Sequence, residues 1–238
     1  MSGVWLVLPT YNEAENIEPF LRAVVPRLAE AAPAHRVLIV DDNSPDGTGE
    51  IADRLAAELD PVEVMHRAGK EGLGRAYLAG FARALDAGAD RVMEMDSDFS
   101  HDPADVPRLL AACERADIAL GSRYVRGGGV VNWPLHRRLL SKGGSWYARH
   151  VLGVGVRDLT GGFKCIHRRV LEQLDMRSIQ ADGYGFQIEV TYRAIQAGFK
   201  VEEVPITFKE RERGASKMTP WIALEAVWKV PALRFRRD

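Results

Sequence analysis

Along the first half of the chain, short apolar runs alternate with longer segments whose apolar residues recur at helical spacing. Val4 to Leu8 is a nearly continuous apolar run stopped by Pro9, the pattern of a strand buried on both faces. Further strands are expected over Arg36 to Val40, Val62 to His66, Arg91 to Met95 and Asp117 to Leu120. Asn12 is expected to cap the helix after the first strand, with Glu13 and Glu15 in its first turn, where the helix dipole favours acids. Pro45-Asp46-Gly47-Thr48 has turn chemistry and hands over to a helix from about Gly49 to Leu59. An Ala-rich helix follows from Leu73 to Ala87, and Pro103 opens another. The alternation predicts an α/β fold with a mainly parallel sheet, right-handed crossovers and helices on both faces. Ligands then belong beyond the carboxyl ends of the strands, where the acidic and glycine-rich stretches fall.

The second half is less regular. It holds the Gly127-Gly128-Gly129 loop, a helix from Leu135 to Leu152 and the turn Asp158-Leu159-Thr160-Gly161-Gly162-Phe163. A helix from about Phe186 to Ala197, a strand from Lys200 to Phe208 and a terminal helix complete the expectation. No internal repeat or linker interrupts the pattern, so the 238 residues suit one domain able to bury its own core.

Composition narrows the function. The net charge of -1 gives no whole-molecule attraction to nucleic acid. Cys113 and Cys165 form no CxxC pair, which disfavours a disulfide framework or structural zinc and fits a reducing compartment. The start lacks the basic region of a signal peptide, and no apolar run nears the roughly 20 residues of a membrane span. The expectation is a soluble or peripheral protein. Charge is uneven, however. Ile118 to Arg157 contains no Asp or Glu but does contain Arg123, Arg126, Arg137, Arg138, Lys142, Arg149 and Arg157. Lys229, Arg234, Arg236 and Arg237 form a second basic cluster. Such runs are commonly solvated faces, yet the lack of compensating acids points to an anionic ligand.

Asp96-Ser97-Asp98 follows an apolar strand. Residues two apart in extended chain share a side, so two carboxylates at the sheet mouth can hold one hard cation, Mg2+ or Mn2+, against a diphosphate. In Asp41-Asp42 a carboxylate can accept from a base or ribose hydroxyl, or can close an Asx turn. Lys70, within Gly69-Lys70-Glu71-Gly72-Leu73-Gly74, can reach a phosphate, but the segment is neither a dinucleotide fingerprint nor a P-loop. Arg211 and Lys217 flank Gly214 in a segment that is either a lid closing on an anion or a charged loop. Trp221 and Trp228 share a helical face before the basic end, as in an interfacial helix or a helix packed on the domain. His101, His136 and His150 lack metal-ligand spacing and are expected at the pocket edge or surface.

Taken together, Val7-Leu8-Pro9-Thr10-Tyr11-Asn12-Glu13, Val40-Asp41-Asp42-Asn43-Ser44-Pro45-Asp46-Gly47-Thr48 and Met95 to His101 resemble the inverting family 2 glycosyltransferases of GT-A fold. The Gly121-Ser122-Arg123-Tyr124, Asn132-Trp133-Pro134, Asp158 to Phe163 and Gly183 to Glu189 segments add a narrower likeness, as does Glu203 to Phe208 running into Arg211 and Lys217. Those segments are similar to polyprenol-phosphate (dolichol-phosphate) mannose synthases. The resemblance implies one Rossmann-like GT-A domain: residues 1–120 for the nucleotide sugar, 121–218 for the acceptor and 219–238 as an amphipathic, interfacial helix. It implies transfer of mannose from GDP-mannose to a polyprenyl monophosphate, on the cytoplasmic face of a membrane. Pro9, Tyr11, Glu13, Val40, Asp42 and Lys70 would hold the guanosine nucleotide. Asp96, Ser97 and Asp98 would hold the nucleotide sugar, with Asp98 and Asp96 on the metal. Ser100, where some members carry Gln, would join them directly or through water. Arg123, Arg137 and Ser141 would grip the acceptor phosphate, and Arg211 and Lys217 the donor diphosphate. The implied catalytic set is Asp96, Asp98, Arg123 and Arg211. Members with C-terminal membrane helices differ from this sequence, so lipid access falls to the terminal helix, the region after Gly129 or a membrane-protein anchor. Rival expectations are a sibling transferase using UDP-glucose or another nucleotide sugar, and a non-catalytic nucleotide or lipid-phosphate binder. A nucleic-acid binder is disfavoured because the basic segment lacks interleaved stacking aromatics.

Overall fold

The computed structural model describes residues 3–179, 183–211 and 230–235. The strands are β1 (Gly3–Thr10), β2 (His35–Asp41), β3 (Val62–His66), β4 (Ala89–Glu94), β5 (Ile118–Ser122), β6 (Gly129–Val131), β7 (Lys164–His167), β8 (Val201–Pro205) and β9 (Thr207–Lys209). The α-helices are α1 (Ile17–Ala31), α2 (Thr48–Glu58), α3 (Leu73–Asp86), α4 (Val106–Cys113), α5 (Leu135–Leu152), α6 (Arg168–Gln173) and α7 (Tyr184–Gln196). Seven strands form the central sheet in the order β3-β2-β1-β4-β7-β5-β8, and β6 pairs with β9 in a small second sheet. All neighbours in the large sheet are parallel except β7, which runs antiparallel to both β4 and β5.

Strand alternation splits the core in two. Leu6, Leu8, Val37, Ile39 and Met93 face α1, α2 and α4, where Phe20, Leu21, Leu55 and Leu109 meet them. Their sequence neighbours Trp5, Val7, Leu38, Val40 and Val92 face the other way, onto Tyr77, Phe81, Phe186 and Val190 of α3 and α7. Helices therefore cover both faces, as the continuous apolar strands require. A third cluster packs Leu152 of α5 against Leu120, Ile188 and Val230.

Two local expectations fail and one region escapes the sequence pattern, for identifiable reasons. Asn12 is not the cap of α1; it takes a left-handed φ of 55°, its N–H donates to Ser44 Oγ at 3.0 Å, and the helix begins only at Ile17. The strand expected from Lys200 to Phe208 is two strands, broken at Ile206, because β8 completes the large sheet while β9 leaves it to pair with β6. β7 and α6 were not anticipated: a four-residue strand that begins with a buried lysine carries neither an apolar run nor an alternation. The terminal stretch expected to be helical from Trp221, with Lys217 before it and Lys229 within it, lies outside the described residues apart from the helical residues 230–235.

Candidate active site

The parallel strands β1, β2 and β4 end on one side of the sheet, and the loops leaving them open a cleft of about 360 Å³. Pro9, Tyr11 and Glu13 enter it from the end of β1, and Asp42 from the end of β2. The two neighbouring acids part company here. Asp41 closes a turn, accepting from Ser44 Oγ at 2.6 Å and Ser44 N–H at 3.1 Å, so the bland reading holds for it. Asp42 faces the cleft and receives Arg67 Nη1 at 2.6 Å; burial outweighs that cation and raises its pKa. Arg67, absent from the sequence-level candidates, steadies Asp42 from the end of β3. Lys70 reaches the same wall and lies 4.3 Å above the Tyr11 ring, a cation–π contact that orders both side chains. Val40 is not on the cleft wall. Its side chain is fully buried in the core, its γ-methyl directly under Gly80, so any part it plays in nucleotide binding falls to its main chain.

The acidic loop after β4 is held under strain. Phe99, between Asp98 and Ser100, takes a positive φ of 60°, which a bulky side chain adopts only when its surroundings force it. Its ring packs edge-on against Phe20 at 5.3 Å, which anchors the loop to α1. Asp98 is nearly enclosed; its Oδ1 accepts from Ser100 N–H at 3.0 Å and its Oδ2 lies 3.0 Å from Arg211 Nη2. Asp96 keeps 39% of its side-chain surface open to the cleft. Its deep position and then repulsion from Asp98 raise its pKa to about 7, against partial relief from Arg211. Ser100 Oγ is buried and has no hydrogen-bond partner. His101 lines the cleft, within the pocket-edge expectation, but is almost fully buried. It lies buried under the loop, ringed by Phe163 at 5.2 Å and Phe208 at 5.0 Å, and burial lowers its pKa to about 4, so it is neutral near pH 7.

The opposite wall carries the arginines. Arg123 and Arg137 both line the cleft. Arg123 is almost fully buried, and its Nε and Nη2 donate to the Asp158 carboxylate at 2.7 and 2.6 Å, with Thr160 Oγ1 also 2.7 Å from Nη2. Its charge is therefore matched by Asp158 while it faces the cleft expected to hold the acceptor phosphate. Arg137 lies 4.4 Å over the Trp133 ring and is paired with Glu210. Ser141 lies off the cleft wall, its Oγ accepting from Tyr124 O–H at 2.7 Å. The acid-free stretch of sequence thus draws its acids, Asp158 and Glu210, from elsewhere in the chain. Behind the acidic loop, Lys164 and Glu94 form an ion pair at 2.5 Å with both side chains fully buried, and Lys164 Nζ also contacts Gln187 Oε1. Gln187 and Gly161 complete the cleft floor.

Comparison with known proteins identifies the family. Residues 5–175 match the model of glycosyl transferase family 2. The chain is 52% identical over 227 residues to the polyprenol monophosphomannose synthase of Mycolicibacterium smegmatis, covering 94% of this chain and 84% of that one. It is 48% identical over 224 residues to the undecaprenyl-phosphate mannosyltransferase of Micrococcus luteus, covering 94% and 90%. Among solved structures, glucosyl-3-phosphoglycerate synthase from Mycobacterium tuberculosis in complex with Mn2+ and UDP-glucose superimposes with a TM-score of 0.72 at 18% identity, covering 100% of this chain and 80% of that one. With the fold, the acidic loop and the sequence match in agreement, the chain belongs to glycosyl transferase family 2.

Proposed function

We propose that the protein transfers mannose from GDP-mannose to the phosphate of a polyprenyl monophosphate, giving polyprenyl β-mannosyl phosphate and GDP. The observation that carries this reading is that Asp96 and Asp98 share one cleft with Arg137, an acidic seat opposite a basic one. The names of the two relatives, at about half identity over nearly the whole chain, support the sugar and the class of acceptor. Residues 1–120 hold the donor and residues 121–218 the acceptor.

A divalent cation, Mg2+ or Mn2+, fits the acidic loop. The donors are all oxygen, burial and then repulsion from Asp98 have lifted the Asp96 pKa, and Ser100 Oγ has no hydrogen-bond partner. Among the described residues no cluster of three or more His, Cys, Asp or Glu side chains is found, so Asp96, Asp98 and Ser100 would hold the cation together with oxygens of the donor. When bound, the cation neutralises the leaving diphosphate. Arg211 turns from Asp98 to that diphosphate, and Glu13, Asp42 and Lys70 orient the nucleoside. Arg137 aligns the acceptor phosphate for in-line attack on the face opposite GDP. The phosphate monoester is largely ionised near neutral pH, with a second pKa of about 6, so no side chain has to remove a proton. The neutral His101 beside the loop is consistent with that.

Radiolabel transfer from GDP-mannose into a short polyprenyl phosphate, with and without divalent cation, tests the proposal. A preference for UDP-glucose in a panel of donors at equal concentration would replace the donor. Donor binding without turnover would leave only a binding protein.

The Asp96 pKa also sets a pH signature. It is raised from 3.8 to about 7, so between those values the folded protein takes up a proton and loses stability as pH rises. A cation binds the deprotonated form and offsets that loss. The rise in melting temperature on adding Mg2+ with GDP is therefore expected to be larger at pH 8 than at pH 6; equal rises would remove Asp96 from the cation's ligands.

The lipid surface is assigned to α5. Leu135 is 69% exposed and Leu139, Leu140 and Trp146 are each 62% exposed, with Arg138, Lys142 and Arg149 among them. Exposed leucines and a tryptophan interleaved with cations suit the boundary of an anionic bilayer. Arg137 lies on the same helix, so a headgroup in the cleft leaves its chain beside these leucines. No described helix is long and apolar enough to cross a membrane. This reading attaches the protein peripherally, on the cytoplasmic face of the membrane. Leu139→Glu with Leu140→Glu is expected to abolish co-sedimentation with protein-free vesicles of anionic lipid while GDP binding persists. If the wild type ignores such vesicles, a membrane-protein anchor takes over that role.

A further inference from the structure

The two cleft arginines are held by acids in different ways. Arg123 and Asp158 are 4% and 0% exposed, a pair buried almost entirely away from water. Arg137 and Glu210 are 28% and 30% exposed, so water or a ligand can reach the pair and exchange one partner. Glu210 grips Arg137 as an acceptor would: its Oε1 and Oε2 lie 2.5 and 2.6 Å from Nη1. The next residue, Arg211, reaches the other way, to Asp98 at 3.0 Å. The strap that carries both is tied at each side of the cleft, by Lys209 N–H to Ser100 O at 3.0 Å and Glu210 N–H to Val131 O at 3.2 Å. Adjacent residues of one short strap thus occupy the donor-side anion with a cation and the acceptor-side cation with an anion.

We propose that Glu210 is a placeholder for the acceptor phosphate on Arg137, and that donor loading releases it through Arg211. This rests on the assignment of Arg137 to the acceptor. A cation and diphosphate arriving at Asp98 take away the Arg211 partner and draw Arg211 toward the diphosphate. Glu210, one peptide unit away, shifts with it and frees Arg137. The device keeps ambient anions off Arg137 until a donor is present, and it favours donor before acceptor. Binding linkage makes the coupling reciprocal: the acceptor tightens the donor by the same factor.

The test measures the Kd of a short-chain polyprenyl phosphate for the wild type, Glu210→Gln, Glu210→Asp and Arg137→Ala, each without nucleotide and with GDP and Mg2+. Without nucleotide, Glu210→Gln is expected to bind about two- to fivefold more tightly than the wild type, the scale of a partly exposed ion pair. GDP and Mg2+ should tighten the wild type by a similar factor and leave Glu210→Gln nearly unchanged. Glu210→Asp, which keeps the charge, should retain the wild-type coupling. Equal nucleotide-free affinity in wild type and Glu210→Gln overturns the placeholder. Tightening by GDP that persists in Glu210→Gln overturns the link to Arg211. An unchanged Kd in Arg137→Ala shows instead that the acceptor assignment beneath it is wrong.

Discussion

Asp98→Ala is expected to lower mannosyl transfer by about 10³-fold or more, because the cation's charge stabilisation of the leaving diphosphate is worth several kcal/mol. Asp98 is the more enclosed of the two acids and touches both the loop, through Ser100 N–H, and the strap, through Arg211. Its removal takes out the seat and leaves Arg211 without that partner. The fold should survive, since losing Asp98 also removes the repulsion that burdens Asp96. Three measurements separate the causes: initial rates at saturating Mg2+, melting temperature, and the melting shift produced by Mg2+ with GDP. Lost rate and lost metal shift with an intact melting temperature is the expected result. Normal turnover would remove Asp98 from the chemistry.

The largest loss of stability is expected from Lys164→Met. Lys164 and Glu94 are both fully buried, and burial lowers the pKa of the first and raises that of the second. Each is costly to keep charged, and their pairing offsets the cost. Removing the lysine alone strands a carboxyl group in the interior, a change worth about 3–5 kcal/mol. The variant should grow weaker as pH rises, because the stranded Glu94 must then ionise in a place that disfavours its charge. Lys164→Met combined with Glu94→Leu should recover most of the loss, since two apolar side chains leave no orphaned charge. Urea midpoints of the two variants at pH 6 and pH 8 check this; equal midpoints for single and double variants would show that the pair is not what braces the sheet here. Transfer should fall in both, because Lys164 also holds Gln187 on the cleft floor.

The sequence made the donor side legible and the acceptor side only partly so. Pro9, Asp42 and Asp96 sit where parallel strands end, and strand ends can be read from apolar runs. Arg123 and Arg137 were visible as an acid-poor stretch, but what holds them was not. Asp158 and Glu210 lie 35 and 73 residues further along the chain, and such partners are fixed by tertiary packing rather than local pattern. Val40 and Ser141 entered through family resemblance alone; the structure puts the Val40 side chain in the core and Ser141 Oγ on Tyr124. His101 was undervalued because its isolation in sequence hides the aromatic cage that Phe163 and Phe208 assemble around it. β7 escaped notice because its lysine, buried only by virtue of Glu94, breaks the apolar signal that marks the other strands.

That antiparallel strand has a consequence for how the protein is made. Met93 pairs with Cys165 and Ala119 with Cys165 on the other side, so one late segment zips together two strands synthesised far earlier. Until it leaves the ribosome, β4 lacks a neighbour on one flank and β5 on both, since β8 comes later still. Unpaired flanks recruit one another, and pairings distant in sequence form slowly. A nascent chain stalled before residue 164 would therefore be a target for chaperones, whereas one extended past β8 can close its sheet and with it the floor of the cleft.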